Sequence, residues 1–138
     1  MPRPEPDLLF VYGTLRSESD SGMADWLRAR AFHLGPGHAR GSLFMLDGYP
    51  GLIPGEAGSV LGNIYRLYDD GDEVLAALDE YEECSARFPA PQEYERRVII
   101  VEAPDGPLQA WAWIYAWPVA GRERIDSGDF LKPGFSNS

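Results

Sequence analysis

The segment Leu108-Gln-Ala-Trp-Ala-Trp-Ile-Tyr-Ala-Trp117 alternates bulky and small side chains with a period of two. In extended backbone, Trp111, Trp113, Tyr115 and Trp117 share one face, and Ala110, Ala112, Ile114 and Ala116 share the other. A strand of this kind packs unequally. Its bulky face calls for cover by a helix or loop, and its small face suits a crowded barrel interior. Tyr94–Ala103 precedes it across Pro104-Asp-Gly-Pro107, and an Asp-Gly turn between β-branched and aromatic runs predicts a hairpin.

Further strands are expected on the N-terminal side. Leu8-Leu-Phe-Val-Tyr-Gly13 reads as an apolar strand covered on both faces and entering a glycine turn. Two more strands are expected near Arg40–Leu46 and Ser59–Tyr68, joined by a long Gly- and Pro-broken loop over Asp47–Glu56. Neither face of the second is cleanly polar, which suggests an internal position or a curved, barrel-like sheet. Two helices punctuate these strands. Three- and four-residue spacing around Met23, Trp26, Leu27, Arg30 and Ala31 predicts about three turns, with Ser21 or Asp20 as a cap. Asp70 and Glu73 form a capping-box pattern ahead of a helix from Val74 through at least Glu82. Strands outnumbering helices point to an α+β domain, and the residues alone do not choose between an open sheet and a closed barrel.

With 138 residues, one domain over 1–138 is the expectation. The apolar fraction of 44% is enough to fill a core, which argues against a disordered chain. Twelve Lys and Arg against 22 Asp and Glu give a net charge of −10, a surface that repels phosphate backbones and anionic lipid heads. Nucleic-acid and membrane partners are therefore not expected. The single cysteine, Cys84, excludes an intramolecular disulfide and suits a reducing compartment. No run approaches the roughly 20 apolar residues of a membrane span. The opening Met1-Pro-Arg-Pro-Glu-Pro-Asp7 also lacks the apolar region of a signal peptide, so a cytoplasmic location is expected.

Chemistry concentrates in Leu78-Asp-Glu-Tyr-Glu-Glu83. At 100° per residue, Val74, Leu75 and Leu78 form an apolar stripe that contains Glu82; Asp79 flanks it, Glu80 points almost opposite and Glu83 turns outward. An inward carboxylate needs hydrogen bonds or a cavity, and burial raises its pKa toward the range useful for proton transfer. Two other readings stay open: the helix frays before Glu82, or Glu82 pairs with Arg87, Arg96 or Arg97. A second candidate is Tyr12-Gly-Thr-Leu-Arg16, where Gly13 and the following amides could form an anion nest, with Thr14 adding a hydroxyl and Arg16 a guanidinium. The plainer reading is a glycine turn with a solvated arginine. His33 and His38 belong to no metal-ligand pattern, Cys84 has no evident base, and the tryptophans read as packing residues.

At these motifs the sequence resembles the gamma-glutamylcyclotransferase-like, or AIG2-like, family, particularly its small bacterial members. The resemblance runs from about Leu8 to Leu131. It rests on Val11-Tyr-Gly-Thr-Leu-Arg16, Gly48-Tyr-Pro-Gly51, Gly62-Asn-Ile-Tyr-Arg66, Leu78-Asp-Glu-Tyr-Glu82, Trp113-Ile-Tyr115 and Ser127-Gly-Asp-Phe130, in that order. It implies a compact mixed β-barrel with flanking helices and a substrate cavity at one end. It further implies that Glu82 is the proton-transfer residue, that Tyr12–Leu15 contact the gamma-glutamyl group through the backbone, and that Tyr115 helps line the pocket. Characterised cyclotransferases often carry glycine directly after the catalytic glutamate; here the residue is Glu83.

The reaction so implied is ring closure. Glu82 takes a proton from the substrate's α-ammonium, the freed nitrogen attacks the γ-carbonyl, and a proton returns to the leaving amine, giving 5-oxoproline and an amine or amino acid. Amides at Gly13–Leu15, aided by Arg16, would hold the α-carboxylate of this small-molecule substrate, and no metal or organic cofactor is required. The alternatives are hydrolysis of a related amide and a non-catalytic anion- or amino-acid-binding module.

Overall fold

Residues 6–13, 22–46, 49–82 and 91–130 are described by the computed structural model. In chain order they form β1 (Leu8–Val11), α1 (Gly22–Arg28), β2 (Ala31–Met45), β3 (Pro50–Leu67), α2 (Gly71–Tyr81), β4 (Tyr94–Ala103), β5 (Gly106–Tyr115) and β6 (Glu123–Arg124). The hydrogen-bonded order is β3-β1-β5-β4-β2-β6, and β2 also pairs with β3. The ladder thus returns to its start through five strands, with β6 attached outside the ring. The sheet is mixed, because β1 runs parallel to β5 at Leu9 and Trp111 while the other pairings are antiparallel. Among the described residues no helix is long and apolar enough to cross a membrane.

The alternation along β5 sorts the core into two layers. Ala110, Ala112 and Ile114 face an inner cluster with Phe10, Leu52, Val60 and Val101. Trp113 and Tyr115 face an outer cluster with Val74, Leu75 and Leu78 of α2 and Leu27 of α1. β1 serves both layers, Phe10 inward and Leu9 and Val11 outward, so its four residues are all buried and all apolar.

Three expectations are corrected. The long loop expected over Asp47–Glu56 is strand from Pro50 onward: Gly41–Met45 pair with Pro50–Pro54, and Leu46 N–H donates to the Tyr49 carbonyl at 2.8 Å, while Asp47 and Gly48 lie outside the described residues. The pairing jumps from Arg40–Ser59 to Gly41–Pro54, so only residues 55–58 leave the ladder. Gly41 and Gly58 make this jump feasible, since a Cβ at either would collide with backbone of the other strand. Breaker residues here bend one long strand without ending it. Second, α1 has seven residues among those described and stops short of Arg30 and Ala31, because Ala31 already belongs to β2, paired with Leu67 of β3; Ser21 and Asp20 lie outside the described residues. Third, Asp70 stands at the N-cap of α2 without a side-chain capping bond. Its φ of −89° and ψ of 20° keep it out of the extended conformation a capping side chain uses, and only its carbonyl accepts, from Glu73 and Val74 N–H. The 94–115 hairpin forms as expected, with Ala103 opposite Gly106, whose φ of +125° suits glycine.

Close packing at the start of β3 depends on Gly51. A Cβ there would lie 2.9 Å from Cβ and Cγ of Tyr115 and 3.0 Å from Leu46 Cδ1. Gly51→Ala is therefore expected to lower unfolding stability by about 1–3 kcal/mol. Gly55→Ala, with open space around it, should stay within about 0.5 kcal/mol. Urea denaturation of both variants checks the contrast.

Candidate active site

The apolar stripe of α2 carries Glu82 to its destination. Val74, Leu75 and Leu78 are buried against the outer face of the sheet, Glu80 is exposed, and Glu82, at the helix C-cap, is partly buried. α2 ends at Tyr81, one residue short of the expected helix, but Glu82 N–H still donates to the Leu78 carbonyl at 2.9 Å, so Glu82 stays on the buried line as the helix cap. Its side chain lines a cavity of about 360 Å³, bordered also by Tyr12, Gly13, Tyr49, Glu93 and Tyr94.

Arginine pairing at Glu82 is not what the described residues show. Arg96 donates from Nε to both oxygens of Asp79, at 2.9 and 3.2 Å, and lies over the Trp111 ring. Trp113 Nε1 donates to the same Asp79 at 3.0 Å. Arg97 pairs with Glu95. Arg87, like Glu83 and Cys84, lies outside the described residues. Dehydration in the cavity, and then the negative charges of Glu93 and Asp79, raise Glu82 from the ordinary 4.5 to about 7.

Tyrosines frame this carboxylate and bond largely to backbone. Tyr12 OH donates to the Trp113 carbonyl at 2.5 Å and accepts from Leu52 N–H at 3.2 Å. Tyr94 OH donates to the Pro50 carbonyl at 2.5 Å. Burial first, and then neighbouring groups including Glu82, push both hydroxyls well above the ordinary tyrosine value. They remain protonated across the physiological range, and their backbone hydrogen bonds brace the cavity wall.

The expected site residues divide accordingly. Glu82, Tyr12 and Gly13 meet at one cavity, where a Cβ on Gly13 would come within 2.9 Å of Pro50. Thr14, Leu15 and Arg16 lie outside the described residues. Tyr115 does not border the cavity. Its ring meets that of Tyr94 edge-on at 5.6 Å, so Tyr94 occupies the position at the cavity wall and Tyr115 stands behind it. Tyr49, Glu93 and Tyr94 also border the cavity, and no local pattern in the sequence marks them as site residues. The Gly48-Tyr-Pro-Gly51 motif and the first residues of the hairpin strand were the available signals, but their meeting depends on contacts 44 residues apart. His33 and His38 are exposed on β2, and no group of metal-ligating side chains occurs among the described residues.

A carboxyl held above its unfolded value favours the folded state at low pH and loses that contribution as pH rises from about 4.5 through 7. The full difference corresponds to about 3 kcal/mol, and solvent at the open side of the cavity reduces it to about 2. Glu82→Gln is thus expected to be more stable than the wild type at pH 8 by about 2 kcal/mol and equal to it near pH 4.5, as read by urea denaturation at the two pH values.

Known proteins share both the sequence pattern and this architecture. Residues 9–132 match the family described as "Gamma-glutamyl cyclotransferase, AIG2-like". The gamma-glutamylcyclotransferase family protein YtfP of Escherichia coli K12 is 36% identical over 124 residues, covering 89% of this chain and 95% of that protein. The solution structure of E. coli YtfP superposes with a TM-score of 0.63 at 35% identity, over 90% of this chain and 96% of that one. YkqA from Bacillus subtilis gives a TM-score of 0.66 at 25% identity over 91% of this chain, which spans 40% of that protein. A mouse AIG2-like protein shares the fold, with a TM-score of 0.60 at 24% identity over 80% of this chain and 77% of that one. Family match, identity and architecture agree, and the chain belongs to the gamma-glutamyl cyclotransferase, AIG2-like family.

Proposed function

We propose that this protein cyclises a small gamma-glutamyl amide to 5-oxoproline, with Glu82 as the general acid and base. The observation that carries the reading is a carboxylate with no ion pair among the described residues, lining a cavity and raised to about 7. Taking a proton from the substrate's α-ammonium costs a carboxylate near 7 about 3 kcal/mol less than it costs one of ordinary pKa 4.5. The raised proton affinity therefore contributes directly to the first step.

Proton transfer from the α-ammonium to Glu82 frees the nitrogen lone pair, which attacks the γ-carbonyl carbon of the same molecule. Glu82 then returns that proton to the departing nitrogen as the carbon–nitrogen bond breaks, and the second proton shed by the ring nitrogen passes through Glu82 to the released amine, which leaves as its ammonium, so that the carboxylate ends as it began. Nucleophile and carbonyl share one chain, so the cavity's task is to fold the substrate into a reactive shape. The tyrosine-braced wall and Gly13 suit that task, since the backbone-bonded phenols of Tyr12 and Tyr94 hold the boundary in place. By the family resemblance, the amides of Gly13–Leu15, aided by Arg16, would hold the substrate's α-carboxylate; Thr14, Leu15 and Arg16 lie outside the described residues. A reducing, cytoplasmic setting fits the lone Cys84.

A mass-resolved screen of gamma-glutamyl amino acids and amines is expected to yield 5-oxoproline; release of glutamate would indicate hydrolysis, and binding without turnover a binding module. For the substrate found, kcat/KM should rise with pH through about 7 as Glu82 ionises. Glu82→Gln should lower kcat by about 10²-fold or more with folding intact, whereas Glu80→Gln, on the exposed face, should change it less than about twofold. Near-wild-type kcat in folded Glu82→Gln contradicts the mechanism.

A further inference from the structure

A second carboxylate faces the same cavity. Glu93 immediately precedes β4, and its backbone is fixed there because its carbonyl accepts from Ala116 N–H at 2.7 Å. Its side chain is also braced, by the Tyr49 hydroxyl donating to Oε2 at 2.6 Å. Tyr49 is held in turn through its own carbonyl, which accepts from Leu46 N–H. Two carboxylates, Glu82 and Glu93, therefore border one small cavity from different elements, the end of α2 and the start of β4.

Nothing cationic among the described residues answers them. The lining includes no Lys, Arg or His; Arg96 is engaged by Asp79 and Arg97 by Glu95. Tyr12 and Tyr94 direct their hydroxyl hydrogens to backbone carbonyls, away from either carboxylate. Confining two like charges in a dehydrated space is unfavourable, and a cation entering between them relieves it. The reaction proposed above brings one such cation, the substrate's α-ammonium.

We propose that Glu93, braced by Tyr49, is the seat of the substrate's α-ammonium and sets that group beside Glu82, so that the cavity selects gamma-glutamyl compounds with a free, cationic α-amino group. This assignment rests on the cyclotransferase reading for the identity of the cation. In it the two carboxylates have different tasks. Glu93 accepts hydrogen bonds from the ammonium and keeps it in place, while Glu82 removes one proton and later returns it. The ammonium has three N–H donors, enough to engage both side chains before the transfer. Once the nitrogen is neutral, Glu93 still accepts one of its remaining hydrogens and steers the lone pair toward the γ-carbonyl.

The test separates binding from turnover. Two probes are used, gamma-L-glutamyl-methylamide and glutaric acid monomethylamide, which share the chain, the carboxylate and the amide and differ only in the α-amino group. Their Kd values are measured at pH 6.5 by NMR titration of the Glu82→Gln protein, where turnover is suppressed and Glu93 is the remaining cavity carboxylate. The amino-bearing probe is expected to bind at least tenfold more tightly, as for a charge-assisted contact. Adding Glu93→Gln should bring the two probes within twofold of each other, and adding Glu93→Asp in its place should retain part of the preference. Circular dichroism establishes that each variant is folded.

A preference that survives Glu93→Gln overturns the assignment, as does no preference, or no binding of the amino-bearing probe, in Glu82→Gln. A wild type that never forms 5-oxoproline would defeat the cyclotransferase reading while leaving this binding comparison intact. In a turnover assay, Glu93→Gln should raise KM by tenfold or more with a smaller effect on kcat. A kcat loss as large as that of Glu82→Gln at unchanged KM would instead make Glu93 a proton-transfer group and overturn its role as the seat.

Discussion

The contact between the α2 stripe and the bulky face of β5 is the constraint on which the site depends. Trp113 and Tyr115 must be buried, and they share one buried cluster with Val74, Leu75 and Leu78, while the Trp113 indole also donates to Asp79 on the same helix. That contact fixes the rotation of the helix about its axis, and the next residue on the buried line, two turns beyond Val74, is Glu82. The same strand turns Ala110 and Ala112 inward, where their small size admits Phe10 and Leu52 to the interior of the ring. One period-two pattern thus fills the sheet and places a carboxylate at its end.

Placing it there works against stability. The burial that raises Glu82 disfavours the ionised folded protein, and two neighbouring acids add to the effect. The fold limits the damage by neutralising one of them: Asp79, one turn back on α2, is clamped by Arg96 and the Trp113 indole. Glu93 receives a phenol hydrogen bond from Tyr49 and no arginine among the described residues. An acid screened by a guanidinium and one left facing a cavity are different physical choices. The second keeps the proton affinity of Glu82 high where a substrate can use it.

Legibility in the sequence followed the range of the interaction. The helix stripe, the hairpin and the two-faced β5 depend on near neighbours, so the inward direction of Glu82 and the α+β class were readable. The extent of β3 was not, because Gly51, Pro54 and Gly58 look like strand breakers until the partner strand supplies the bend they accommodate. Tyr115 was expected at the pocket wall from the family resemblance; whether it or Tyr94 stands in front depends on how two paired strands present their rings. Glu93 had no local periodicity to betray it, since its brace, Tyr49, lies immediately before another strand, 44 residues away.

Everything proposed for the chemistry depends on the proton affinity of a single side chain. Titration of the Glu82 carboxyl carbon by NMR in carboxyl-labelled protein, with Glu82→Gln used to assign the resonance, measures it without a substrate. The account predicts a midpoint near 7 that moves downward in Glu93→Gln, because removing a neighbouring negative charge eases ionisation. A midpoint near 4.5, unmoved by Glu93→Gln, would place Glu82 in ordinary solvent and contradict the account.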